Sequence, residues 1–152
     1  MKKVITIMLL FSILCFSSCG SKKEPETVVM DFSGENYQEW SAEEAQKIDS
    51  ELLSIIQNGS TVVVKAKIEQ SWNNETTINH NYHIVTELIQ KHGFNTCNEL
   101  QYWAVMDAGM EVKVISFTLD KTTIDNVAAD KIIDIDLYKY ANDLWIAPDL
   151  QK

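Results

Sequence analysis

The sequence predicts an α+β domain: a small antiparallel β-barrel carrying an N-terminal helix and a helical insert, with an α+β two-layer sandwich as the alternative. Three observations lead there. Residues 61–70 alternate apolar and polar side chains, the period of a half-buried strand. Two stretches, 42–56 and 81–91, repeat apolar residues at three and four positions, the period of a helix. Between 100 and 119, two β-rich runs flank Asp107-Ala108-Gly109-Met110, a glycine-bearing link of hairpin length.

The first helix is expected to open at Ser41-Ala42-Glu43-Glu44, which has capping-box spacing and an acidic first turn. Ala45, Ile48, Leu52, Ile55 and Ile56 make its apolar stripe, and Asn58-Gly59 ends it. In the strand that follows, Val62, Val64, Ala66 and Ile68 share one face. Polar residues from Ser71 imply a turn. A second helix runs from Asn79 or Asn81 to Lys91, with Ile84, Val85, Leu88 and Ile89 inward and Gly93 at its end. Strands are expected at 100–106 and 111–119. A short helix starts at Asp120 or Thr122, and two further strands lie at 132–138 and 144–147. The order of elements after Gly59 resembles the OB-fold, a five-stranded barrel. That resemblance implies a ligand face on the second and third strands and the first loop.

The chain begins Met1-Lys2-Lys3, continues with an apolar run from Val4 to Phe16, and then has Ser17-Ser18-Cys19-Gly20. A charged start, a short apolar stretch and small residues at a cut site make a secretory signal. The run is too short for a bilayer span, which takes about 20 residues. Phe16-Ser17-Ser18-Cys19 resembles the lipobox of bacterial lipoproteins, with Phe16 where that family usually has Leu. The resemblance implies cleavage before Cys19, diacylglycerol on its thiol, and residence at the cell membrane on its extracytoplasmic face. Two acyl chains give stable attachment where one is marginal. The expected organisation is a signal peptide over 1–18, a flexible tether over 19–38 and one globular domain over 39–152.

The chain has 13 basic and 22 acidic residues, a net charge of −9. Removing residues 1–18 takes away Lys2 and Lys3 and moves that charge to about −11. Such a field repels nucleic acid and anionic headgroups, so no nucleic-acid partner is expected. Every basic residue is Lys. Without Arg, the usual bidentate clamp, phosphoryl-transfer chemistry and tight anion recognition are disfavoured, although an AT-rich genome explains the bias as well. Cys97 is the one cysteine of the folded part, which excludes an internal disulfide; a buried structural role fits it better than a nucleophile.

His80, His83, His92 and Cys97 lie close enough in sequence to raise zinc, but His83 and His92 fall on opposite faces of a helix. Neither a metal nor a cofactor is therefore expected. Asp134 and Asp136, two apart on an expected strand, would share a side and suit calcium or acid–base work, yet they read more simply as a solvated edge. Trp72, Tyr82, Tyr102 and Trp103 are the binding candidates, set against the simpler reading that most of them build the core. The chain thus reads as a lipid-anchored, non-enzymatic binding module for a protein or another envelope component. The alternative is a small metal-dependent or acid–base hydrolase. If Cys19 carries the lipid, Cys19→Ser in cells fed labelled palmitate gives an unlabelled protein; label retained by the variant contradicts the assignment.

Overall fold

A computed structural model describes residues 27–152. The signal peptide, Cys19 and the first part of the tether lie outside them. The sheet has six strands in chain order: β1 (Asn36–Trp40), β2 (Leu52–Gly59), β3 (Thr61–Lys67), β4 (Glu99–Asp107), β5 (Glu111–Asp120) and β6 (Asn142–Ile146). All neighbours are antiparallel except β3 and β4, which run parallel. The sheet stays open, with β1 and β6 as edges, so the fold is α+β and the expected barrel is not formed. A mixed sheet with helices on one face corresponds to the sandwich alternative.

Antiparallel strands can be joined by a tight turn, whereas parallel ones need a crossover. Between β3 and β4 that crossover is α2 (Asn74–Lys91), which contains the expected second helix and begins five or seven residues before it. Its N-cap, Asn73, accepts the Thr76 N–H at 2.8 Å. Tyr82, Ile84, Val85, Leu88 and Ile89 of α2 are buried against Val62, Val64 and Ala66 of β3, Leu100 and Tyr102 of β4, and Ile115 and Phe117 of β5. Tyr102 donates its hydroxyl to Asn81 Oδ1 at 2.8 Å, and Asn81 Nδ2 donates to the Thr77 carbonyl at 2.7 Å. The short helix α3 (Lys121–Ala128) is capped by Asp120, whose carboxylate accepts the Thr123 N–H at 2.8 Å.

Three expectations fail for identifiable reasons. The N-terminal helix is a single turn, α1 (Ala42–Ala45), and residues 52–59 are the strand β2. A bulge between Leu52 and Ser54 breaks the strand alternation, so Leu52 and Ile55 both point inward at a spacing of three, which imitates a helix. Asn58-Gly59 does not stop a helix; it leads the β2–β3 hairpin, where Gly59 takes φ +63°. Residues 134–139 form a 3-10 helix rather than a strand. Only Ile132 and Leu137 of that region point into the core, five positions apart, and no strand pairs with it.

Part of the segment read as tether packs onto the domain. Met30 N–H donates to the His92 carbonyl at 2.9 Å, and Phe32 N–H donates to Thr96 Oγ1 at 2.8 Å. Phe32, 1% exposed, has its ring 4.7 Å from Phe94 and 5.5 Å from Trp40. Gly93 permits this docking: its φ is +83°, and a Cβ there would lie 1.9 Å from the Met30 carbonyl oxygen. Among the described residues, the strand partners and buried core residues lie between Phe32 and Ile146, so residues 27–152 form a packed unit with its own core. Phe32→Ala is expected to lower the unfolding free energy of that unit by about 3–5 kcal/mol. Urea unfolding checks it, and a change below about 1 kcal/mol would mean that the segment is not docked.

Candidate functional site

All three helices belong to one side of the sheet. Tyr102 and Phe117 face α2 with their rings 5.3 Å apart, so Trp103 and Ser116 project from the opposite face. Register places Lys65 beside Trp103 and Trp145 beside Ser116, giving a row Lys65–Trp103–Ser116–Trp145 across β3, β4, β5 and β6. Among the described residues, no helix covers this row. Trp103 is 39% and Trp145 44% exposed, while Ser116 between them is nearly buried.

Lys113 joins the row through an irregularity. Ile115, Phe117 and Leu119 point to the helix side, and an unbroken strand would send Lys113 there as well. The β4–β5 register shifts by one residue, Ala104 opposing Ile115 and Val105 opposing Lys113, so that Val114 is the extra residue. Such a bulge re-aims the side chain beside it. Lys113 is thereby turned to the bare face, where its Nζ lies 5.6 Å from the Trp103 ring centre and 5.7 Å from that of Trp145. Contacts of this kind contribute about 0.5–1 kcal/mol at exposed sites.

Beside this cluster lies a cleft of about 300 Å³ lined by Ile68, Met106, Val112, Val114, Trp145 and Leu150, with Lys113 and Asp149 among its polar groups. The bulge and the β4–β5 hairpin form one wall. The other is the 3-10 turn Pro148–Gln151, held by the Ala147 N–H bond to the Val114 carbonyl at 2.8 Å. Asp149 pairs with Lys152 at 2.5 Å. Among the described residues, no carboxylate lies within ion-pairing distance of Lys113. An apolar recess with few convergent polar groups is the usual form of a small-ligand site.

The four aromatic residues singled out from the sequence do not share a surface. Tyr82 and Tyr102 are core residues, and burial pushes the Tyr82 hydroxyl up to about 12 and the Tyr102 hydroxyl well above its ordinary value. Trp72 stands 99% exposed. Trp103 alone lies in the cluster, and its partners Lys113 and Trp145 were not anticipated. The period-two spacing of Trp103 and Val105 was visible, but pairing with β6 and the bulge were not.

The other candidates separate as well. His80 Nε2 meets Glu51 Oε1 at 2.6 Å, His83 Nδ1 meets Asp134 Oδ2 at 3.0 Å, and His92 Nδ1 meets the Val28 carbonyl at 2.7 Å, three different places. No group of three or more His, Cys, Asp or Glu among the described residues is placed to hold a metal ion. Asp134 turns to His83 while Asp136 pairs with Lys139 at 2.6 Å, so the two carboxylates are held by different partners. Cys97 is buried and donates its thiol to the Phe94 carbonyl; burial pushes that thiol up to about 12, far from the thiolate a nucleophile needs. Compared with known family models, curated proteins and solved structures, the chain matches none.

Proposed function

We propose that this chain is a lipid-anchored protein of the extracytoplasmic membrane face. Its domain binds a ligand at the sheet rim, where the face bearing Trp103, Lys113 and Trp145 meets the apolar cleft, and carries out no catalysis. The observation that carries the reading is the bulge at Val114, which places Lys113 between two half-exposed indoles at the mouth of an apolar cleft. Two half-exposed tryptophans gathered on one face around a lysine favour a contact surface over a merely solvated one. The anchor rests on Ser17-Ser18-Cys19 and the apolar run before it. Among the described residues no helix is long and apolar enough to cross a membrane, so the proposed attachment is the lipid on Cys19.

The domain would meet a protein or another envelope component with Trp103 and Trp145 as anchors, since indoles dominate binding energy where they become buried. Its acidic surface disfavours anionic polymers as broad-area partners, leaving recognition to the local cluster. Hydroxyl-radical footprinting on isolated envelopes tests the reading. Trp103 and Trp145 are expected to be oxidised several-fold more slowly there than in the purified domain, with Tyr140, exposed on the 3-10 helix side, unchanged as internal control. Equal oxidation in both settings contradicts it.

A further inference from the structure

We infer that the cleft takes an anionic amphiphile, an aliphatic chain of roughly ten carbons ending in a carboxylate, with Lys113 holding the head group. This rests on the binding reading above and names the ligand class for the same site.

The argument starts from the mismatch between the lining and its one free charge. The walls are mostly apolar, Ile68, Met106, Val112, Val114 and Leu150 with the Trp145 indole along one side; Gln70 and Asn74 are the uncharged polar residues among them, and the Asn74 amide already donates to the Asp149 and Lys152 carbonyls. Most of what fills the cleft is therefore apolar. At about 30 Å³ for each water-sized group, 300 Å³ holds a chain of roughly ten methylenes. Asp149, also in the lining, pairs with Lys152. Lys113 has only the two indole faces. Among the described residues no carboxylate lies within ion-pairing distance of it, so in a chain of net charge −9 its complement is a ligand whose single negative end reaches Nζ. A cationic head would be repelled by Lys113, and a neutral one would leave its charge unanswered. A lone Lys is a point charge without the fork that grips phosphate bidentately, so a monoanionic carboxylate fits better than a phosphate ester.

The bulge explains why the two halves of the ligand would meet there. The same extra residue, Val114, lines the cleft and turns Lys113 over its mouth, so the apolar and charged requirements are met by neighbours in sequence.

The test uses residues 27–152, calorimetry and tryptophan emission, with octanoate, decanoate, decanol and decyltrimethylammonium below their micellar concentrations. Decanoate is expected to bind, and each added methylene from octanoate to tighten binding about fourfold. Decanol should bind about fivefold more weakly than decanoate, because an exposed ion pair is worth little more than that. Decyltrimethylammonium should bind several-fold more weakly than decanol. Lys113→Gln, on the surface, should bring decanoate to the level of decanol and leave decanol unchanged. Ala147→Trp, which fills the cleft, should abolish both, with the thermal midpoint reporting whether it folds. Equal affinity for decanoate and decanol, or decanoate binding undiminished in Lys113→Gln, overturns the head-group assignment. If no probe binds while envelopes still protect Trp145 from oxidation, the ligand class is wrong and the binding reading stands. If neither occurs, both fall.

Discussion

Two strands that run side by side in the same direction cannot be joined by a turn, and β3 and β4 are such a pair. The chain must leave the sheet after Lys67, cross one face as α2 and return at Glu99. That crossing decides which side of every strand is inside. Val62, Val64, Leu100, Tyr102, Ile115 and Phe117 become core because they meet α2, and their neighbours become the other face. The Tyr102–Asn81 hydrogen bond fixes the helix on the sheet from within, and Asn81 in turn is held by the Thr77 carbonyl. Removing either partner leaves a buried polar group unsatisfied, at a cost of about 1–3 kcal/mol. Because α2, α3 and the 3-10 helix Asp134–Lys139 lie together on this side, the other side carries no helix among the described residues. The candidate site is therefore a consequence of a one-sided architecture.

On that bare face, strand irregularity supplies the chemistry. The Val114 bulge interrupts β5 where an unbroken strand would have buried a lysine, and it delivers that lysine to two indoles contributed by different strands. Five other lysines find carboxylate partners. Lys65 reaches Glu111, Lys91 reaches Glu87, Lys121 reaches Asp125, Lys139 reaches Asp136 and Lys152 reaches Asp149. Lys113 stands apart from this set because its neighbours are aromatic.

Much of the fold was legible because local signals agreed with the tertiary outcome. The 61–67 alternation became β3, the apolar face of 84–89 became the buried side of α2, and Asp107–Met110 became the β4–β5 turn. What failed did so where local pattern and pairing disagree. The bulge at Leu52 reproduced a helical spacing within a strand, and it outweighed Asn58-Gly59, which is a strong hairpin signal in its own right. Ile133 and Ile135 looked like strand residues but are exposed on a 3-10 helix. The site was less legible than the fold. Adjacency of Tyr102 and Trp103 implied one residue in and one out, yet only the parallel pairing tells which is which. Trp145 joins Trp103 through two register steps that no single segment contains.

The account depends most on α2 and the β3–β4 pair forming a single unit. Amide hydrogen exchange of residues 27–152 tests that claim most directly. The amides of Val62–Ala66, Leu100–Ala104 and Tyr82–Ile89 should be the slowest in the domain and share one opening free energy, equal to that of global unfolding. Exchange of the α2 amides well ahead of the two strands would show that the helix is not locked to the sheet, and the division into a packed face and a bare face would lose its basis.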